Sequence, residues 1–269
     1  YIADDEEGPL SIDIIDLSGN VLNTYSSEES DFDRCITSFQ DERTKFEVKH
    51  PTMNPGVNQW TWDMRHGGLN CIEDLILYAG FDGATVMPGD YQILISVGNS
   101  QSTASVTLLP DPRSDATSSD YEFLSARLVE VTDLLNELVD DLAAARKSRG
   151  EIVTLLADFP NVEGLQLAGE SAIDRLTIWE NTVTQTQYGT YEDEDSMPPM
   201  LDVHIRHVLD VLDEAGAPVA AGSLLRLEDM KDQWAERKAE LIDIAESDIA
   251  TVNDWAETNG VPHSTPPVN

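Results

Sequence analysis

The sequence predicts an α+β chain with two domains, an N-terminal antiparallel β-sandwich followed by an antiparallel four-helix bundle. Up to about residue 110, short apolar–polar alternating segments are broken by Gly, Pro and Asn, which is typical of strands and turns. Beyond that point, apolar residues recur three and four positions apart, as they do in packed helices. The predicted boundaries are 1–112 for the sandwich, 113–119 for a linker, 120–260 for the bundle and 261–269 for a tail.

Five segments carry the strand pattern. They are PLSIDIID, VLNTY, NQWTWDMRH, MPGDYQILISVGN and STASVTLLP. In the third segment, alternation places Trp60, Trp62 and Met64 on one face and Asp63 and Arg65 on the other. Short strands at this spacing, without intervening helices, favour an Ig-like or fibronectin type III-like sandwich. The stretches 26–41 and 67–80 are predicted to be irregular insertions.

Four helices are predicted after the linker LPDPRSDATSSD. The first begins near Ser118 to Asp120, which are N-cap residue types, and the others cover about 166–187, 200–214 and 223–258. The first helix carries a continuous seam of the kind that packs in bundles, formed by Tyr121, Leu124, Leu128, Val131, Leu135, Leu138 and Leu142. Gly260 is predicted to end the last helix.

The charge excludes several classes of partner. The net charge is −35, from 51 acidic and 16 basic residues. Nucleic acids and anionic membrane surfaces need clustered Lys and Arg, so neither is predicted as a partner. No apolar run approaches the roughly 20 residues of a spanning helix. Because salt screens such self-repulsion, the composition favours a marine or halophilic source over a merely acidic surface.

The start of the chain points to a missing upstream portion, and its two cysteines are candidates for a disulfide. Tyr1 stands where an initiator Met would be, so an upstream portion is expected. Cys35 and Cys71 lie in polar, loop-like stretches outside any CxxC motif, which disfavours a metal or redox site. In an exported protein they would form one disulfide closing a long loop. Two separate, partly buried thiols remain the alternative.

Metal sites are weakly supported. His204 and His207 are three positions apart on a predicted helix, but no third His or Cys accompanies them. The acidic stretches at Asp31 and Asp33 and from Glu192 to Asp195 have the ligand type that calcium takes, without the calcium-loop signature. Polar-face histidines and solvated acidic loops are therefore expected, and no cofactor is predicted, with a structural calcium ion left open as the alternative.

Catalytic signatures are missing from the sequence. The chain has no G-x-S-x-G, P-loop or G-x-G-x-x-G, and no carboxylate pair stands out among its acidic residues. Trp60, Asp63 and Arg65 are the candidate substrate-binding residues, with Trp60 as a stacking platform and an ion pair between Asp63 and Arg65. The alternative is that Trp60 and Trp62 anchor the core of the sandwich.

Three motifs in order carry a family resemblance. NPGVNQWTWDMRH, ATVMPGDYQILISVGN and LLPDPR, followed by MPPMLDVHIRHVLDVLD and the long final helix, resemble the region after the propeller in bacterial sortilin-like (VPS10-related) BNR-repeat proteins, often labelled glycosyl hydrolases. The resemblance spans nearly the whole chain and implies that a BNR β-propeller precedes Tyr1. No BNR repeat occurs here, so no propeller residue carries over. The insertions holding Cys35 and Cys71 depart from the family pattern.

Three functions follow as expectations. The leading one is a non-catalytic accessory or interaction module of a larger extracellular, periplasmic or cell-surface protein, whose main partner is its own propeller. The second is part of a glycosidase or peptidase whose site forms at the propeller interface. The third is a surface or filament subunit that associates with copies of itself. Whether the chain takes part in an enzyme reaction is left open.

Overall fold

The computed structural model describes residues 1–4, 6–36, 49–77, 80–187 and 193–268. It is a mixed α/β structure with one four-stranded antiparallel sheet in the described residues. The strands are β1 (Leu10–Asp16), β2 (Val21–Ser26), β3 (Gly89–Val97) and β4 (Ser100–Leu108). The helices are α1 (Asp31–Ile36), α2 (Ser118–Asp158), α3 (Glu163–Val183), α4 (Asp193–Ser196), α5 (Leu201–Ala215), α6 (Ala221–Ile244) and α7 (Ala250–Asn259).

The described residues pack as two compact units. The first holds Tyr1–Leu75, Ala79–Thr132 and Leu209–Ser223, and the second holds Ile76–Tyr78, Asp133–Val208 and Leu224–Asn269. The predicted boundaries at 112 and 120 follow chain order, whereas each of these units collects distant segments. Within the described helices, none is both long and apolar enough to cross a membrane.

The sheet has one apolar and one polar face. Its order is β2-β1-β3-β4, and both hairpins are antiparallel. The register places Ile12 opposite Ile95 and Ile14 opposite Ile93, so the predicted apolar faces of β1 and β3 coincide. The opposite face also carries Ile15 and Leu94 but is mostly polar, with Ser11, Asp13, Thr24, Gln92, Thr103 and Ser105. Burying an aliphatic side chain stabilises a fold by about 1.5–3 kcal/mol, so the β1 and β3 side chains form the core here.

The segment NQWTWDMRH is not a strand. Residues 58–66 are irregular apart from a single antiparallel bridge between Arg65 and Thr85. The predicted alternation fails at Met64, which has φ +62° and is 48% exposed, whereas Trp60 and Trp62 pack against the apolar face of the sheet. A left-handed residue reverses the chain direction, so side chains on either side of it cannot keep a strand's alternation. The layer over the sheet is therefore irregular chain rather than a second sheet in the described residues.

The N-terminus of helix α2 is capped by Thr117, the residue before its first. Thr117, rather than Ser118, Ser119 or Asp120, is the capping residue, because its Oγ1 accepts a hydrogen bond from the Asp120 amide at 3.3 Å. In return, the Thr117 amide donates to the Asp120 carboxylate at 2.8 Å. This reciprocal pair satisfies two amides that the first turn leaves without a helical partner. The predicted seam is buried from Leu124 to Leu142.

The last predicted helix is interrupted by a different turn. Helices α6 and α7 are joined by a π-helical turn over Ala245–Ile249, so the helical run covers 221–259 against the predicted 223–258. It ends at Gly260, which has φ +67° and donates to the Glu257 carbonyl at 3.2 Å, as expected for a glycine C-cap. Helix α3 covers 163–183, against the predicted 166–187.

The residues after Gly260 pack within the second unit. Ser264 is 3% exposed, and its amide donates to Asn253 Oδ1 at 2.8 Å. Its hydroxyl lies 3.2 Å from that of Ser148 on α2. Thr265 donates its amide to Glu151 at 2.7 Å. The predicted tail is therefore a packed segment over the positions that make these contacts.

Candidate functional site

An apolar groove of about 510 Å³ lies on the apolar face of the sheet. Its lining includes Ile12, Trp60, Trp62, Ile93, Ile95 and Val97. The coil, residues 58–66, covers this face only in part, because Ile95 near the end of β3 remains 39% exposed. We call this feature the sheet groove. It is a concave, largely apolar surface, which is the usual form of a binding site.

Two aromatic pairs hold the coil over the sheet. The Trp60 and Tyr25 rings are 5.4 Å apart and tilted, and the Trp62 and Tyr91 rings are 5.9 Å apart and edge-on. Such pairs contribute about 0.5–1.5 kcal/mol beyond their burial. The Trp60 indole N–H is buried and meets no acceptor in the described part of the chain. One side of each tryptophan is therefore occupied by protein, as in the core-anchor interpretation.

Asp63 shapes the turn at Met64. Its Oδ1 accepts hydrogen bonds from the Tyr25 hydroxyl at 2.6 Å and from the Arg65 amide at 3.0 Å. Burial and the neighbouring Asp63 carboxylate together raise the pKa of Tyr25, so this phenol stays a donor. The expected ion pair between Asp63 and Arg65 is wrong, because Asp63 bonds the backbone of Arg65 rather than its guanidinium.

Arg65 is paired with a residue far along the chain. Its guanidinium donates to Asp213 Oδ2 at 3.1 Å and to the Gly83 carbonyl at 2.8 Å. Thr85 adds its amide, 2.9 Å from Asp213 Oδ1, and its hydroxyl, 3.1 Å from Oδ2. The Asp213 side chain is only 9% exposed, so its charge is compensated by three donors. Asp213 thus joins the start of the first unit to α5.

The two outer strands of the sheet, β2 and β4, differ in whether other described segments hydrogen-bond to them. At β2, the Gly67 amide donates to the Leu22 carbonyl at 2.8 Å, and the Asn23 side chain donates to the carbonyls of Arg65 and His66, each at 3.2 Å. At β4, nine consecutive pairs join the strand to β3, and no backbone hydrogen bond joins it to any other described segment. Among the described residues, the outer backbone groups of β4 therefore have no backbone partner, and they lie beside the sheet groove.

Cys35 and Cys71 are joined by a disulfide, with an S–S distance of 2.07 Å. Of the two arrangements that the sequence left open, the structure has the bonded one. The bond ties α1, a short helix inside the insertion expected to be irregular, to the second insertion. It closes a loop with a sequence separation of 36 residues.

A buried polar cluster lies in the second unit. Glu180 is 4% exposed and accepts hydrogen bonds from Arg146, at 2.7 Å, and from Arg149. Asp202 is fully buried, and its Oδ1 accepts from the Val203 amide at 2.7 Å. Burial raises the pKa of Asp202 to about 7, against the lowering effects of hydrogen bonds from Thr184 and the backbone and of the Arg146 charge. Asp202 thus titrates near neutral pH.

The metal candidates assemble no site. Within the described residues, no group of three His, Cys, Asp or Glu side chains is arranged to hold a metal ion. The pKa of His204 is lowered by burial, and further by the charges of Arg226 and His207. Asp33 bonds the Ser30 amide and hydroxyl, at 2.6 and 2.7 Å, as a helix cap. The stretch from Glu192 to Asp195 lies partly outside the described residues.

Sequence reasoning missed the acids that matter for packing. Asp202, Asp213 and Glu180 are three of 51 acidic residues, and nothing in their local sequence marks them as buried. One signal was available for the β4 edge, because the stretch 91–109 lacks any Asp, Glu, Lys or Arg.

Comparison of the chain with protein-family models, curated protein sequences and solved structures found no match.

Proposed function

We propose that this chain is a non-catalytic accessory module of a larger exported protein. It would bind a protein partner through its first unit, which contains the β-sheet and is called the sheet unit below. The observation that carries the proposal is a partly open, largely apolar surface with few charged side chains on a strongly acidic chain. The surface consists of the sheet groove and the β3–β4 hairpin. The net charge of −35 keeps most other surfaces hydrated and mutually repelling.

The distribution of charge supports this choice of surface. Charged residues make up 25% of the chain, so a stretch of 19 residues would contain about five. The stretch 91–109 contains none, although most of β4 is exposed. The exposed β4 side chains are mainly polar and uncharged, and the adjoining sheet groove supplies apolar area; an exposed apolar surface with a polar rim marks an interaction site. Charge depletion is also the compositional mark of interface centres.

The proposal includes the finer architecture and the parent protein. The sheet would be one layer of an Ig-like domain whose second layer is the irregular segment 58–66 in place of a second sheet. The helices α2, α3, α5 and α6 would form a four-helix bundle, and a BNR β-propeller would precede both. The disulfide supports an extracellular, periplasmic or cell-surface location, because such bonds persist in oxidising compartments. The family resemblance of the tryptophan and hairpin motifs supports the propeller.

In this proposal Trp60, Asp63 and Arg65 support the groove rather than contact a substrate. Asp63 and Arg65 already bond Tyr25 and Asp213, and Trp60 packs on Tyr25. No observation favours the alternative in which these residues complete a glycosidase or peptidase site. A triple variant with Trp60→Phe, Asp63→Asn and Arg65→Lys that abolished turnover of the parent protein, without changing its melting temperature, would favour that alternative.

Self-association through β4, as in a filament subunit, is favoured by the same uncovered edge. Acidic side chains at both ends of that edge oppose it, because Glu6 lies 2.6 Å from Ser100 and Asp90 lies 2.5 Å from Thr107. Two copies in antiparallel pairing would bring acid against acid. Light scattering at rising protein and salt concentration tests this second function, and a monomer throughout would eliminate it.

The experiment for the leading proposal has two parts. Intact mass and N-terminal sequencing of the natural polypeptide are expected to find upstream BNR repeats. Incubation of residues 1–269 with glycan and peptide substrate panels is expected to give no turnover. A natural polypeptide without a propeller, or turnover by the isolated chain that survives repeated purification, would refute the accessory role.

A further inference from the structure

We infer that β4 is a docking edge for one extended strand of a different protein segment, with an uncharged alternating centre and basic flanks. This inference rests on the proposed function and names the partner's chemistry. Strand addition supplies main-chain hydrogen bonds along the edge, and side chains on one face of the added strand supply specificity.

The edge has the geometry that strand addition needs. The β3–β4 register is continuous over nine pairs, from Gly89–Leu108 to Val97–Ser100, without a bulge. The hairpin closes through a two-residue turn at Gly98, whose φ of +54° suits a glycine at the first turn position. Edge strands are normally protected by Lys, Pro, bulges or a covering segment, and β4 has none of these in the described residues.

The side chains leave room for an added strand. On the apolar face, β4 carries Ser100, Ser102 and Ala104, opposite Val97, Ile95 and Ile93 of β3. These small residues lower the rim of the sheet groove toward the β4 edge. Alternate side chains of a strand added there would stand beside them, and long apolar ones would reach the exposed Ile95. The centre of the partner strand is therefore apolar at alternate positions.

The acidic side chains at the two ends of β4 determine which residues we expect on either side of the partner's strand. The centre of the edge is neutral, and an acidic side chain bonds each end, Glu6 at Ser100 and Asp90 at Thr107. Lys or Arg on both sides of the partner's strand would meet these carboxylates, and the net charge of −35 would speed its approach. An acidic strand, including a second copy of β4 with its own flanking acids, would be repelled.

The test uses the whole chain and a synthetic strand. The probe is the peptide KKVTVSVTVKK, and amide hydrogen exchange is followed residue by residue with and without it. We expect exchange at Ser100–Leu108 to slow at least about tenfold at about 1 mM peptide, a concentration suited to a weak single-strand contact. The amides of β2, whose edge is already covered, serve as the internal control and should not change.

Matched peptides and variants separate main-chain pairing at β4 from attraction between charges. The same peptide with its central amides N-methylated cannot pair and should give no protection, and EEVTVSVTVEE should protect at least about tenfold less at low salt. The double variant Thr103→Lys/Ser105→Lys should lose protection. The control Leu167→Lys/Leu225→Lys adds the same charge at helix positions that are 65% and 70% exposed and should retain it.

Three outcomes would overturn the inference. The first is no protection of β4 at about 1 mM peptide, and the second is equal protection by the N-methylated peptide. The third is concentration-dependent protection of β4 without peptide, which would identify a second copy as the occupant. These readouts are independent of the upstream sequence. A natural chain without a propeller would refute the accessory role while leaving β4 docking intact. Conversely, absence of β4 protection in a chain with an upstream propeller would refute β4 docking alone.

Discussion

Replacing Asp202 by Asn should change the pH dependence of stability more than any other single substitution in the second unit. The carboxyl is fully buried, and its Oδ2 has no hydrogen-bond partner in the described residues. Its pKa is about 7 in the folded chain, against 3.8 as the reference value. Between these two values the folded state holds a proton that the unfolded state has released. Stability therefore falls as pH rises from about 4 to about 7.

The magnitude follows from the shift. Roughly three pKa units at about 1.4 kcal/mol each give about 4 kcal/mol of lost stability above pH 7. Below about pH 4 both states are protonated and the difference vanishes. Asn resembles the protonated acid in shape and charge, so Asp202→Asn should stabilise the chain by only about 1 kcal/mol at pH 4.5, where the unfolded acid is already partly ionised. At pH 8 it should be stabilising by about 2–4 kcal/mol.

Urea unfolding followed by tryptophan fluorescence provides the assay, because Trp179 and Trp234 are both buried in this unit. Curves would be measured from pH 4.5 to 8.5 at constant ionic strength, with Asp229→Asn as the control for removing an exposed acid from a helix. The difference in unfolding free energy between Asp202→Asn and wild type should grow with pH, whereas the control difference should stay flat. A constant difference across the range for Asp202→Asn would refute the reasoning.

Three further predictions concern the first unit and the charge. Asp213→Ala should lower the unfolding free energy by about 2–4 kcal/mol, because it leaves a partly buried guanidinium and two donors without their acceptor, whereas the exposed neighbour Glu214→Ala should change it by less than about 0.5 kcal/mol in urea titrations. Cys35→Ser/Cys71→Ser should cost about 4 kcal/mol from the loop of 36 residues that it opens, and a thermal melt unchanged by reduction would contradict this. Raising NaCl from about 0.1 to 1 M should increase the urea midpoint by screening the net charge of −35, and a decrease would show that specific ion pairs dominate.

The helices were predictable because their signal is local. The seam from Leu124 to Leu142 repeats at three and four residues, and burial of one helix face requires that period. The ends of the helices were less predictable than the helices themselves. Thr117 rather than Ser118 caps α2, because several adjacent residues are of capping type and the backbone geometry decides which one caps.

The tryptophan segment shows where pattern reasoning fails. Its alternation is real in the sequence, but Asp63 accepts the Arg65 amide and fixes a turn at Met64 that no strand can contain. A short side-chain acceptor can thus compete with sheet pairing for the same backbone group.

The charge-free stretch 91–109 marks an unusual surface, but neither the outer position of β4 in the sheet nor the burial of the acids could be predicted from the sequence, for another reason. Alternation tells which face of a strand is buried, but not which strand is outermost in the sheet. Likewise, Asp202 and Asp213 owe their burial to segments far along the chain, so their local sequence resembles that of solvated acids.

The bonds of Asp213 also constrain when the sheet unit can be completed. Its partners Thr85 and Arg65 precede it by 128 and 148 residues, so both wait for most of the helical chain to be made. At roughly 5–20 residues per second, the ribosome needs about 6–30 s to cover that distance. During this interval the Arg65 guanidinium and the Thr85 amide lack the carboxylate that they share in the native fold. The sheet can therefore form its strand pairs during synthesis, but its link to Asp213 forms only after that residue has been added.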